Sequence, residues 1–235
     1  MKKSFILTLL WFGFTTTVWA QSKTVERALA VPASNKVELN LKFGEDIKIS
    51  AWNKKEAYIK VTYEINSGKL NEALQLGFES DNTSARVNVD LDKELTKNGQ
   101  AGDCPDNNYS QYNVSKNGDR NFVCAKINYE IFLPANADLT VETINGNIEI
   151  RGLTGPVSAK SISGFVDMNW AQNKGAAVAL KTITGEVYSD LAIDLGGSKQ
   201  KAPMVGYELK GNVSGGGSPI KLESISNDIY LRKKD

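Results

Sequence analysis

The chain has 235 residues, with 28 basic and 27 acidic side chains and no histidine. Charge this evenly balanced gives no footing on nucleic acid or on an anionic membrane surface. Without imidazole, no Ser-His-Asp or Cys-His nucleophile and no histidine-ligated metal can be built, so any chemistry would run on carboxylates, lysine, tyrosine or calcium.

Residues 1–20 carry Lys2 and Lys3, an apolar run from Phe5 to Phe14, and Val18-Trp19-Ala20 ahead of Gln21. This is the pattern of a secretory signal peptide cleaved between Ala20 and Gln21. The apolar run is too short for a spanning helix, and no membrane span is expected after cleavage. Losing Lys2 and Lys3 leaves 26 basic against 27 acidic residues, a net charge of −1.

Downstream, Val37-Glu38-Leu39-Asn40-Leu41 and Phe43 to Ile49 look like a diverged copy of a repeat found later in the chain, followed by Trp52 and a strand from Ala57 to Ile65. Residues 69–76 fit either a short helix or a strand connection, and a strand is preferred. Strands are expected at Ala85 to Leu91 and at Ala125 to Leu133, the second stopped by Pro134.

Between them, residues 93–123 are rich in Asn, Asp, Gly and Ser and form an insertion loop. Cys104 and Cys124 are the two cysteines, and in an exported protein a disulfide is expected, stabilising by about 3 kcal/mol. Two thiols without histidine make a poor zinc site, and a redox pair would normally be spaced CxxC. Asp103, Asp106, Asn107, Asn108, Tyr109 and Tyr112 collect oxygen ligands, but their spacing fits no EF-hand, so a solvated loop is expected. No metal and no cofactor is assigned.

Aligned on Gly146, Gly164, Gly185 and Asn227, four segments fall into register. Seven residues before the anchors stand Leu139, Val157, Val178 and Ile220; five before, Val141, Ala159, Leu180 and Leu222; two before, Ile144, Ile162, Ile183 and Ile225. Two after come Ile148, Val166, Val187 and Ile229, and four after come Ile150, Met168, Ser189 and Leu231. Alternation of period two on both sides of the anchor marks strands with one buried face, and the phase slips at Thr143, Ser161, Thr182 and Ser224, where a corner is expected. Glycine or asparagine at the anchor suits a turn with positive φ.

Such a unit cannot bury its face alone, so the expected fold is all-β: a β-solenoid of strand-turn-strand repeats stacked about 4.8 Å apart. Around Leu209-Lys210-Gly211-Asn212-Val213 there is room for a degenerate unit, and Gly196 to Pro203 is a polar insertion. The expected organisation is a signal peptide over 1–20, an N-terminal β region over 21–134 with its stapled insertion over 93–124, and a repeat region over 135–235. The N-terminal region either continues the solenoid or forms a small β-sandwich. Asp228 to Leu231 is expected to end the stack as an exposed edge, with Arg232, Lys233 and Lys234 discouraging further pairing.

Ile127-Asn128-Tyr129-Glu130-Ile131-Phe132-Leu133-Pro134, Leu139 to Ile150, Ser161-Ile162-Ser163-Gly164 and Thr182-Ile183-Thr184-Gly185 resemble the bacterial putative-adhesin family of β-strand repeat proteins. The resemblance covers residues 125–233, and Phe43 to Ser50 more loosely. It implies a β-solenoid of the bacterial envelope acting in adhesion, with no catalytic residues to carry over. A periplasmic, outer-membrane-surface or extracellular location is expected.

The pleat then assigns the outward residues. One after the anchors lie Asn147, Phe165, Glu186 and Asp228; three after lie Glu149, Asp167, Tyr188 and Tyr230. Phe165, Asp167, Glu186, Tyr188, Asp228 and Tyr230 form a strip of rings and carboxylates, the composition of a flat glycan-binding surface. The bland alternative is that tyrosine and phenylalanine are good strand residues and the acids keep the face soluble. Catalysis would need Asp167 and Glu186 on adjacent rungs about 5 Å apart, as in a retaining polysaccharide hydrolase. Glu142, Lys160, Lys181 and Glu223 are expected to form exposed cross-strand pairs. The expected partner is a glycan or protein at the cell surface; the alternatives are a carboxylate-based polysaccharide hydrolase or lyase on the outer solenoid face, and a structural or accessory envelope protein without a ligand.

Overall fold

Strands of alternating burial make up most of the structure, a computed structural model that describes residues 22–104, 110–114, 120–196, 206 and 208–234. The expected signal peptide and its Ala20/Gln21 junction lie outside the described residues. In chain order the first strands are β1 (Lys23–Ala30), β2 (Lys36–Leu41), β3 (Asp46–Trp52), β4 (Glu56–Ile65), β5 (Leu74–Ser80) and β6 (Ala85–Leu91). A short helix α1 (Lys93–Thr96) and the hairpin β7 (Ser110–Val114) and β8 (Arg120–Val123) follow. Next come β9 (Ala125–Pro134), β10 (Asp138–Thr143), β11 (Asn147–Arg151), β12 (Val157–Ser161) and β13 (Val166–Trp170). The chain ends with β14 (Ala176–Thr182), β15 (Val187–Ser189), β16 (Ile193–Asp194), β17 (Glu208–Val213), β18 (Ser218–Ser224) and β19 (Ile229–Lys233).

The fold is all-β, with two large mixed sheets. Sheet A runs β1-β4-β9-β3-β11-β13-β19-β15 and sheet B runs β16-β17-β14-β18-β12-β10-β2-β6-β5. Each repeat gives one strand to each sheet, and the repeats pair in parallel and in register: Leu139 opposite Val157, Ile148 opposite Val166. The diverged N-terminal copy joins the same ladders, with Val37 opposite Leu139 and Ile47 opposite Ile148, so hydrogen bonding runs across residue 134 without a break. Both sheets contribute to one apolar core that includes Leu39, Ile49, Leu139, Ile150, Leu222 and Ile229. Residues 69–76 divide into a single 3-10 turn at Asn71–Ala73 and the start of β5.

The stacking order departs from chain order. β18 and β19, the last repeat, insert between the second repeat (β12, β13) and the third (β14, β15). The expected edge at Asp228 to Leu231 is therefore interior, and β15 ends sheet A. Leu209 to Val213 is no rung of the stack: it is β17, antiparallel to β14. Charge explains part of this order, since β10, β12, β18 and β14 place Glu142, Lys160, Glu223 and Lys181 in strict alternation. Stacked in chain order, Lys160 would oppose Lys181, and directly opposed like charges are unfavourable.

The corner also differs from expectation. Ile144, Ile162 and Ile183, placed inward by the apolar columns, are 39, 36 and 40% exposed. The Ser/Thr column turns in instead, and Ser161 and Ser224 are fully buried. Three of the four hydroxyls accept from their own anchor and donate to the anchor carbonyl of the neighbouring rung, while Thr143 Oγ1 donates to Asn145 O (2.6 Å) in its own corner. Gly164 N donates to Ser161 Oγ (2.9 Å), which donates to Gly146 O (2.9 Å). Asn227 N donates to Ser224 Oγ (3.1 Å), which donates to Gly164 O (2.9 Å). Gly185 N donates to Thr182 Oγ1 (3.1 Å), which donates to Asn227 O (2.7 Å). These bonds satisfy backbone groups that the corner would otherwise bury unpaired, and they follow the same intercalated order.

The anchors are glycine mainly because rungs touch there. A Cβ on Gly164 would lie 1.9 Å from Gly146 O, and one on Gly185 2.2 Å from Asn227 O. Only Gly146 among the four anchors has a positive φ, at 137°.

Candidate functional site

The outward face of sheet A carries the strip read from the sequence, in a revised order. Across β11, β13, β19 and β15 one row reads Asn147, Phe165, Asp228, Glu186 and the next Glu149, Asp167, Tyr230, Tyr188. Asp167 and Glu186 are not on adjacent rungs, because β19 lies between them. The close carboxylate pair needed for a retaining hydrolase is therefore absent from this position.

Asp167 is only 7% exposed. Its Oδ1 accepts from Arg151 Nη1 and its Oδ2 from Arg232 Nε, both at 2.9 Å. Arg151 Nη1 also donates to Asp167 O (2.9 Å), and its other terminal nitrogen reaches Glu149 Oε2 at 3.3 Å. A carboxylate bonded on both oxygens by guanidinium groups is a clamp across β11, β13 and β19, not a free acceptor for a hydroxyl. Sequence reasoning missed both arginines. They sit two residues beyond Glu149 and Tyr230 on the same strand face, so the period of two could have found them.

The remaining residues form an aromatic column. Tyr230 and Tyr188 stack with ring centroids 5.2 Å apart and planes 10° off parallel. Phe165 meets Tyr230 edge-on at 6.2 Å and 85°. The Arg232 guanidinium lies 4.7 Å from the Tyr230 ring centre. Arg232 leans toward β13 to reach Asp167, so it and Tyr188 occupy opposite faces of Tyr230. Stacking along the direction of strand pairing stands these rings on edge above the sheet. Tyr188, on the edge strand, is the most exposed ring of the column at 46%, while Phe165 and Tyr230 are half-buried.

Carboxylates pin the column. Tyr188 donates its hydroxyl to Glu186 Oε2 (2.5 Å), Tyr230 donates to Asp228 Oδ2 (3.0 Å), and Glu186 N donates to Asp228 Oδ1 (2.9 Å). The hydrogen bond to Glu186 pushes the Tyr188 phenol up to about 12, and that to Asp228 raises Tyr230 in the same direction. Both rings thus stay neutral and act as hydrogen-bond donors and stacking surfaces.

A second aromatic group, not anticipated from the sequence, lies toward the other end of the same face. Trp52 stacks on Phe132 at 5.6 Å, Tyr58 packs on both, and Lys54 Nζ sits 4.6 Å from the Trp52 ring. Trp52 Nε1 donates to Glu56 O (2.8 Å). Phe132 and Lys54 engage the Trp52 ring, which marks this cluster as a local brace.

The stapled insertion is fixed by the disulfide Cys104–Cys124, whose Cα atoms are 5.7 Å apart. Buried Asn66, at φ 48°, ties it to the sheet: Cys124 N donates to its Oδ1 (3.0 Å) and its Nδ2 donates to Phe122 O (2.8 Å). Asp103 is held below the ordinary carboxylate range by a hydrogen bond from Lys69 and accepts from Gln100 N at 3.0 Å. Among the described residues no acidic or cysteine group is arranged to hold a metal. Asp106, Asn107, Asn108 and Tyr109, and most of the insertion Gly196 to Pro203, lie outside them.

No protein-family model matches the chain, and no curated protein matches it either. Among solved structures, it is similar to a "putative cell adhesion protein" from Clostridium sporogenes. The likeness covers 91% of this chain and 100% of that one, at a TM-score of 0.51 and 14% identity. A "putative adhesin" from Bacteroides fragilis aligns over 90% of this chain and 97% of its own, at a TM-score of 0.25 and 12% identity. The first likeness shows a shared fold.

Proposed function

We infer that this chain is a non-enzymatic adhesion or interaction module of the bacterial envelope, exported by its N-terminal signal, whose in-register arcs form a short β-solenoid. The observation that carries this reading is the column of Phe165, Tyr230 and Tyr188, ending in an exposed ring at the edge of sheet A and flanked by Asp228 and Glu186. Exposed rings backed by a rigid sheet supply contact area at little entropic cost. The fold shared with a structure named for cell adhesion supports the same reading, and the disulfide suits an oxidising compartment. Phe165, Glu186, Tyr188, Asp228 and Tyr230 are the proposed binding residues, with Asp167 holding them in place. The partner is a glycan or protein at a cell surface.

The test is capture of glycans and matrix proteins by the purified protein, compared with Tyr188→Ala and Trp52→Ala. Binding retained by Trp52→Ala and lost by Tyr188→Ala supports the strip. Binding unchanged in Tyr188→Ala moves the site elsewhere, and cleavage of a captured glycan overturns the non-enzymatic reading.

A further inference from the structure

Sheet A stops at β15, and the stop is incomplete. In the core column shared by Ile148, Val166 and Ile229, which are fully buried, the terminal member Val187 is only half-buried. Ile229 N donates to Glu186 O (2.9 Å), so peptide alternation along the strand directs the N–H and C=O of Val187, and again of Ser189, away from β19 toward the open side. Among the described residues no strand pairs with this row, and an unpaired row of this kind is a template for a further strand.

The side chains above that edge define what the strand should carry. The column runs from Asp167 through Arg232 and Tyr230 to Tyr188, alternating acid, cation and rings, and breaks off at a ring. Glu186 and Asp190 bracket β15 in sequence and Asp228 lies one strand inward, bonded to Glu186 N and to Tyr230, while Arg232, the cation within the column, is committed to Asp167. A guanidinium already rests on the inner tyrosine, in the geometry an incoming cation would take on the outer one. The Trp52 cluster offers no comparable opening, since Lys54 already supplies its cation.

We propose that β15 is a docking edge for an extended basic segment of a partner protein, which adds to sheet A as a strand and places an arginine or lysine on the free face of Tyr188. This rests on the strip being the binding surface and names the chemistry of its partner. Backbone pairing with Val187 and Ser189 supplies the sequence-independent part of the affinity, and the cation on Tyr188 beside Glu186 supplies the selectivity.

The experiment titrates the purified, oxidised full-length protein with fluorescent peptides of alternating threonine and valine. These carry arginine, citrulline or leucine at one central position. The arginine peptide binds about fivefold more tightly than its citrulline counterpart, that preference vanishes in Tyr188→Ala and persists in Trp52→Ala, and binding slows amide exchange at Val187 and Ser189. Equal affinity for arginine and citrulline, or slowed exchange confined to β1, overturns the proposal. So does self-association lost in Tyr188→Ala, which would make a second copy the occupant. Glycan capture that depends on Tyr188 while no peptide binds overturns this inference and leaves the strip standing. Indifference of both assays to Tyr188→Ala removes both.

Discussion

Replacing Ser224 by alanine tests the intercalated stacking at its most sensitive point. The Ser224 hydroxyl is buried, accepts from Asn227 N at 3.1 Å and donates to Gly164 O at 2.9 Å. Alanine removes one oxygen and leaves a donor of its own corner and an acceptor of the neighbouring rung without partners. Each unsatisfied buried group costs about 1–3 kcal/mol, so a loss of about 2–6 kcal/mol is expected. For a chain of this size that corresponds to a fall in Tm of about 2–4 °C per kcal/mol. Ser226→Ala is the control, because Ser226 is exposed and should shift stability by less than about 0.5 kcal/mol. Guanidinium unfolding of the oxidised protein reads both through the midpoint at constant slope. A Ser224→Ala midpoint equal to that of Ser226→Ala would refute the hydroxyl ladder and the rung order built on it.

Asp167→Asn keeps the shape of the clamp but removes its charge, and should destabilise by about 1–2 kcal/mol while ligand capture persists; abolished capture in a folded variant would return Asp167 to the binding residues. Reducing the Cys104–Cys124 bridge, which closes a sequence separation of 20, should cost about 3 kcal/mol in the unfolding free energy; an unchanged midpoint refutes the staple. Difference absorbance should show Tyr188 ionising at about 12 and, in Glu186→Gln, returning toward the ordinary tyrosine value near 10. Asp103, Glu38 and Glu208 are held below the ordinary carboxylate range by hydrogen bonds from Lys69, Lys36 and Lys210. Folding depresses these values, so their stabilisation is present above about pH 4 and is lost as pH falls through the folded values. A melting temperature flat from neutrality to pH 2 would contradict it.

Much of this architecture was legible because the repeat imposes its period on side chains that must face one core. The columns of Leu139 and Val141 are buried in all four repeats, those of Ile148 and Ile150 in all but the edge strand β15, and the diverged copy at Val37 and Ile47 joins the same ladders. Stacking order was harder to see, since every copy offers its neighbours a similar apolar face and similar backbone. The charge column carried the missing signal: Glu142, Lys160, Lys181 and Glu223 alternate only when the last repeat moves inward. Ile144, Ile162 and Ile183 stand in an apolar column yet face outward, because the corner needs hydroxyls inside to satisfy its turns. At the site, residue types foretold rings and acids on one face. Periodicity says nothing of ring planes, so it missed that the tyrosines stand on edge and that Asp167 is locked between arginines.

The central functional claim is that partners meet the molecule where sheet A ends. Amide hydrogen exchange of the protein, alone and with a captured partner, tests it most directly. Protection concentrated at Glu186 to Asp190 and Asp228 to Arg232 is the predicted result. Protection confined to β1, β5 or the stapled insertion, with the β15 edge exchanging as in the free protein, would contradict it.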